Sequence, residues 1–282
     1  MDRKWTREAV GGAVAGIASR LVISPFDVVK IRLQLTRTHT SIARLTADII
    51  RNEGLRGLYK GNGSALILYG GYGACQFSMY HGADLKGQPA FVRGAVAGAF
   101  ATVVTYPFDL LRTRFAVQGP NKLYTGILDA FTTIAKREGI PGFYRGMVPA
   151  LLQIMPMMGI VFKVHNSCLD TFSKLDLKSA YPMVYKCQEL ISGGIAGSLS
   201  KALLMPLDVI RKRLQVQGPV RNAIIVDHVP RYTGFVKCAF AIVRYEGVRG
   251  LYRGLIPAIA KSGPSTAVTF FVVREFQKYS QH

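Results

Sequence analysis

The sequence predicts an all-α membrane protein in which six long, tilted helices are arranged with pseudo-threefold symmetry, built from three copies of one unit. Three observations carry this. The 282 residues are 49% hydrophobic, include 29 glycines and have a positive mean hydropathy, too apolar and glycine-rich for an ordinary soluble domain. A marker of the form Pro-x-Asp-x-x-Lys/Arg occurs three times. A second marker, Glu-Gly and then aromatic-basic-Gly, follows each of them at unchanging internal spacing.

The first copy, residues 1–86, opens with a long helix over 8–35 that carries Pro25-Phe26-Asp27-Val28-Val29-Lys30. A short amphipathic helix precedes Glu53-Gly54, and Tyr59-Lys60-Gly61 opens a second long helix over 61–84. In the second copy, residues 87–174, a helix over 90–118 carries Pro107-Phe108-Asp109-Leu110-Leu111-Arg112. Glu138-Gly139 and Tyr144-Arg145-Gly146 then lead into a helix over 146–172. The third copy, residues 175–282, has a helix over 186–217 with Pro206-Leu207-Asp208-Val209-Ile210-Arg211. Glu246-Gly247 and Tyr252-Arg253-Gly254 precede its last helix, over 254–279. The distance from proline to Glu-Gly grows from 28 to 31 to 40 residues, which places an inserted loop around Val220 to Pro230.

Several of these helices exceed the roughly 20 residues that span a bilayer, so tilt is expected, and each motif proline supplies a kink. Gly12-x-x-x-Gly16, Gly94-x-x-x-Gly98 and Gly193-x-x-x-Gly197 recur at one place in every copy, as seams where helices approach closely in lipid.

The net charge of +20, from 36 Lys+Arg against 16 Asp+Glu, is interleaved with apolar stretches instead of forming one stripe. That pattern suits an anionic membrane surface and anionic solutes, and argues against nucleic acid. Asp2 to Arg7 lead directly into an apolar segment without a small-residue cleavage site, so targeting information is expected to be internal. Cys75, Cys168, Cys187 and Cys238 fall singly, which indicates neither a metal site nor a disulfide framework; small buried side chains are the simple reading. Neither a phosphate-cradling G-x-x-x-x-G-K-[ST] loop, a dinucleotide fingerprint nor a His-Glu-x-x-His pair is present, so no enzyme is indicated.

In each Pro motif the acid and the base lie three residues apart and share one helix face. Ionisable side chains at membrane depth persist where they line water or pair with one another. Under threefold symmetry each aspartate meets the basic residue of a neighbouring helix, and three such pairs close one end of a pore. The alternative, pairing within each motif, would only stabilise a helix end.

On these motifs the chain resembles the mitochondrial carrier family over essentially its whole length. The resemblance implies a six-helix barrel in the mitochondrial inner membrane, three short matrix-side amphipathic helices, and alternating access around a central cavity; a threefold barrel within one chain needs no partner to form its pathway, so a functional monomer is expected. It implies a matrix gate of Asp27 with Arg112, Asp109 with Arg211, and Asp208 with Lys30. Gln34 and Gln215 match the family's glutamine braces, four residues past the basic position, and Ala116 does not. Cardiolipin is implied at the helix starts marked by Gly61, Gly146 and Gly254 and by Gly126 and Gly234; the first-copy counterpart, His39-Thr40-Ser41, departs from the pattern. Tyr80-His81, His165-Asn166 and Val273-Arg274 match the family's cytosolic network poorly, so that end is expected to be weakly held.

Positions where the copies differ carry the cargo's asymmetry. Seven residues past each aromatic-basic-Gly glycine stand Leu68, Gln153 and Lys261, where the resemblance puts substrate contacts. Five before each motif proline stand Arg20, Thr102 and Lys201. Arg20, Lys201 and Lys261 imply an anion, and a phosphorylated one suits them. Tyr69, Tyr72 and Gln76 are placed to meet a ring system or an organic cation. Within the family the chain is most similar to the fungal branch that carries thiamine pyrophosphate, on Ile31 to Leu35, Leu68-Tyr69, Tyr72 to Phe77, Tyr106 to Arg114 and Lys261. That cargo, with thiamine monophosphate, is expected; a nucleotide or coenzyme A would meet the same cations.

Overall fold

The computed structural model describes residues 20–36, 40–82, 90–119, 122–174, 188–218, 221 and 230–261. These residues are helical or irregular, with no strand among them. The first long helix is described over residues 20–35 (α1). It is followed by α2 (Ile42–Glu53), α3 (Asn62–Gly82), α4 (Ala90–Val117), α5 (Ile127–Phe143), α6 (Met147–Lys174) and α7 (Gln188–Gln215). Then come α8 (Phe235–Glu246) and α9 (Leu255–Ala260). Residues 8–19 of the first expected helix, most of the sixth and nearly all of the inserted loop lie outside the described residues.

Each odd-numbered long helix runs on through its motif proline, so α4 continues past Pro107 to Val117 and α7 past Pro206 to Gln215. Three helices are long and apolar enough to cross a membrane among the described residues: Val92–Val117, Met147–Phe172 and Ile191–Gln215. Their outward faces remain apolar, with Phe100, Val104, Leu152, Leu199 and Leu203 exposed, as a lipid-facing surface requires.

Each short helix buries one isoleucine four residues before its glutamate: Ile49, Ile134 and Ile242. The chain then reverses at Gly54, Gly139 and Gly247, whose φ of 70°, 67° and 70° is left-handed and favours glycine. The turn folds back onto the glutamate so tightly that a Cβ at Gly57, Gly142 or Gly250 would overlap the glutamate Cβ, at 2.8, 2.4 and 2.8 Å. These contacts are why the spacing of the second marker never varies. Ile127–Phe143 contains this same reversal, at Gly139.

The apolar core lies at one end of the molecule. Val28, Val29, Leu110, Leu111, Phe115 and Ile134 form its larger part, and Met205, Val209, Ile210 and Ile242 the smaller. Helix α3 packs along α4 and α6 along α7, with α4 also touching both α6 and α7.

The glycine seams behave differently from expectation. Gly98 is packed, with Tyr72 and Ile154 atoms 3.3 and 3.4 Å from where its Cβ would be. Gly94, Gly193 and Gly197 have nothing within 4 Å. Gly12 and Gly16 lie outside the described residues. Among the described residues, the close approach expected at these seams is seen only at Gly98.

Candidate functional site

The Pro motifs bring their charges together at the cored end. Arg112 Nη2 lies 2.5 Å from Asp27 Oδ2, Arg211 Nη2 2.9 Å from Asp109 Oδ2, and Lys30 Nζ 2.6 Å from Asp208 Oδ2. Each pair joins two copies, and the third returns from the last copy to the first, so the pairs form a closed ring. Gln34 donates to Asp208 at 3.1 Å, and Gln215 Nε2 donates to Asp109. Ala116, at the matching place beside Asp27, has no polar group to offer.

Helix starts wedge into the same ring. A Cβ at Gly61 would lie 2.7 Å from the Arg112 carbonyl oxygen, at Gly146 2.8 Å from that of Arg211, and at Gly254 3.1 Å from that of Lys30. Each aromatic-basic-Gly turn therefore docks on the basic residue of the next copy. Their φ values near +80° impose the same choice of residue.

Below the ring lies a second set of links that the sequence reading left unassigned. Arg32, Arg114 and Arg213 stand seven residues past the motif prolines. Arg32 and Arg114 each form a two-pronged pair with Glu53 and Glu138, at 2.6 and 2.8 Å and at 2.5 and 2.9 Å, and Arg213 does the same with Glu246. Each arginine also donates through Nε to a carbonyl at the end of the next copy's helix: Arg32 to Ala116 at 2.9 Å, Arg114 to Gln215 and Arg213 to Gln34 at 3.1 Å. They thereby satisfy carbonyls that a helix end leaves without partners. Burial alone would raise the Glu53 carboxyl, but hydrogen bonds from Arg32 and Lys60 outweigh it and hold it below its ordinary range. The signal was available: a basic residue at one offset in all three copies, and a glutamate in all three second markers.

Lys212 is a further missed residue. Buried, it donates to Asp109 Oδ1 and Oδ2 at 3.3 and 3.1 Å, to Thr113 at 2.9 Å and to Gln215 at 2.9 Å. The corresponding residues are Ile31 and Thr113, so only the seam between the second and third copies carries this extra cation.

The residues singled out for cargo lie against the ring. Arg20 Nη1 is 3.0 Å from Asp27 Oδ2, Lys261 Nζ 3.0 Å from Asp27 Oδ1, and Lys201 Nζ 3.2 Å from Asp208 Oδ2. The Tyr69 hydroxyl accepts from Arg112 at 2.8 Å, and the Arg20 guanidinium stacks 3.7 Å from the Tyr69 ring centroid. Gln153 Nε2 donates to the Leu204 carbonyl of α7 at 3.3 Å. Tyr72 and Gln76 lie over Gly98, between α3 and α4, and Leu68 is buried. Toward the other end, Tyr80 stacks with Arg93 at 5.0 Å, while Val273 and Arg274 lie outside the described residues.

Of the five helix-start glycines, Gly146 and Gly234 face one cavity of about 420 Å³, also lined by Arg145, Met147, Arg231 and Tyr232. Gly61 and Gly126 belong to a comparable junction, where Ile127 Cδ1 lies 3.9 Å from where a Cβ on Gly63 would be. There the Thr125 backbone N–H already donates to Asp129 at 2.9 Å, which lowers that exposed carboxyl's pKa. Gly254 stands against Lys30 and Gln34. Among the cysteines, Cys238 is buried, and burial pushes its thiol up to about 12. Cys75 and Cys168 are half-buried, contrary to the expectation that they would be buried, because they sit on long helices away from the core; Cys187 lies outside the described residues.

The family model for mitochondrial carrier proteins matches three successive segments, residues 2–86, 83–176 and 184–282. Among curated proteins, mitochondrial thiamine pyrophosphate carrier 1 of Neurospora crassa is 42% identical over 92% of this chain and 87% of its own length. The proteins of the same name from Neosartorya fischeri and Coccidioides immitis are each 41% identical, over 96% and 95% of this chain and 92% and 90% of their own.

Proposed function

This chain belongs to the mitochondrial carrier family, and from that premise we propose that it moves thiamine pyrophosphate, and thiamine monophosphate, into the matrix by alternating access. It is a multi-pass transporter of the mitochondrial inner membrane, not an enzyme. The proposed architecture is a six-helix pseudo-threefold barrel functioning as a monomer, in which the ring of ion pairs is the matrix gate and Gln34 and Gln215 brace it.

The observation that carries the cargo reading is an excess of positive charge on the pathway. Arg20, Lys30, Arg112, Lys201, Arg211, Lys212 and Lys261 meet only three carboxylates, Asp27, Asp109 and Asp208, among the described residues. A diphosphate supplies the missing negative charge, and fork-shaped guanidinium donors suit its oxygens. Arg20, Lys201 and Lys261 are assigned to the phosphates. Tyr69, Tyr72, Gln76 and Gln153 are assigned to the ring systems and Leu68 to the apolar wall.

Cardiolipin is proposed at the paired helix starts, where backbone N–H groups and the helix dipole favour phosphate. The cavity at Gly146 and Gly234 is the stronger site of this kind, since Arg145 and Arg231 line it, and the Gly234 start carries Lys237 three residues on where the Gly126 start has Asp129.

The test is uptake by purified protein in liposomes preloaded with thiamine pyrophosphate, thiamine monophosphate, nucleotides or coenzyme A. Saturable entry of labelled thiamine pyrophosphate is expected, reduced at least tenfold by Lys261→Glu. Failure of thiamine pyrophosphate either to enter or to compete would overturn the cargo assignment.

A further inference from the structure

One pair of the ring lacks the glutamine that the other two possess, and the structure shows what stands in its place. Asp208 accepts from Gln34 and Asp109 from Gln215, whereas the residue four past Arg112 is Ala116. A small cavity of mixed lining remains there, bounded by Ala116, Asp27 and Arg112 together with Val28 and Ile31. On the opposite side of the pair stands Tyr69 of α3. Its hydroxyl accepts from Arg112 Nη1 at 2.8 Å, while its ring face supports Arg20 at 3.7 Å.

Both of these cations reach the same carboxylate oxygen, Asp27 Oδ2, at 2.5 Å from Arg112 and 3.0 Å from Arg20. A single tyrosine therefore orients two guanidinium groups toward one acceptor, through hydrogen bonding and through cation–π attraction. The corresponding residues in the other copies are Ile154 and Ser262, so the tyrosine occurs only at the seam where the glutamine is missing.

We propose that Tyr69 is the third brace of this gate, a positioning residue that holds the cation of the Asp27–Arg112 pair where Gln34 and Gln215 hold the acid of theirs. The inference rests on the gate reading of the ring. It adds to Tyr69 a role in the empty protein that contact with cargo would not give it. A glutamine brace can be released by rotating its own side chain. Release of the tyrosine brace moves Arg112 and Arg20 together, coupling this seam to a cation assigned to the phosphates.

The experiment is thermal unfolding of the purified carrier in detergent without substrate, alongside liposome uptake. Tyr69→Phe keeps the ring and removes the acceptor. It is expected to lower the midpoint by several degrees, as Gln34→Ala does. Adding Ala116→Gln, which fills the cavity with the missing amide, is expected to restore at least half of that loss. In an Asp27→Asn background, where the pair is already broken, Tyr69→Phe is expected to cause no further drop.

An unchanged midpoint in Tyr69→Phe, with a lowered one in Gln34→Ala, overturns the brace while leaving the gate reading intact. A drop that persists undiminished in the Asp27→Asn background also overturns it. If neither Gln34→Ala nor Tyr69→Phe shifts the midpoint, the gate reading fails and the brace with it. Reduced uptake with an unchanged empty-state midpoint leaves Tyr69 a cargo contact only.

Discussion

Arg114 and Glu138 are joined by two hydrogen bonds of 2.5 and 2.9 Å, and neither side chain reaches solvent. Removing one charge of such a pair leaves the other desolvated without a partner, a cost of about 3–5 kcal/mol, well beyond that of an exposed pair. Glu138→Gln is therefore expected to be strongly destabilising, read as a loss of thermal midpoint and of protein recovered in detergent. Glu53→Gln is expected to cost less, since the Arg32 side chain is 11% exposed and can recruit water. Equal losses in the two variants would contradict the burial argument. At this scale the sequence made the upper ring legible, because acid and base recur inside one short motif. The lower links were harder to see: Arg32 and Glu53 lie 21 residues apart, and only the reversal at Gly54 brings them together.

At the scale of the element, helix positions followed from the repeated markers, and α3, α4, α6 and α7 lie within a few residues of the expected spans. What the pattern of apolar residues did not reveal was why the turns are invariant. Turn geometry depends on close approaches between backbone and side chain, which no hydrophobic period records. Gly146 illustrates this, with φ of +79° and the Arg211 carbonyl oxygen 2.8 Å from the position of a Cβ. Gly146→Ala is expected to combine backbone strain of about 1–3 kcal/mol with that overlap. The expected outcome is a clearly lowered midpoint and disturbed docking of α6 on α7. An alanine tolerated there without loss would mean that the turn is not held as described.

At the scale of the molecule, the carrier family was legible in the symmetric residues, whereas the proposed cargo rests on the asymmetric ones. Arg20, Lys201 and Lys261 were identified as cations, but their partners were not, because each reaches down to a ring aspartate instead of facing an acid at its own level. The spacing of the glycine seams was legible too, yet Gly193 and Gly197 stand open. The alternating access proposed above connects these two facts. If the ring is the gate, breaking it parts the helices at the cored end and brings the opposite ends together, and small residues are what permit close helix contact in lipid. Gly197 is exposed and a Cβ built there has nothing within 4 Å, so a side chain has room to leave the helix in this conformation, and replacing glycine within a helix gains up to about 1 kcal/mol in propensity. Gly197→Leu is therefore expected to keep or slightly raise the empty-state thermal midpoint while lowering liposome uptake at least tenfold. The paired measurement separates a conformational block from misfolding: lowered stability would point to an unseen contact in this state. Uptake at the unsubstituted level would show that this seam stays open throughout the transport cycle.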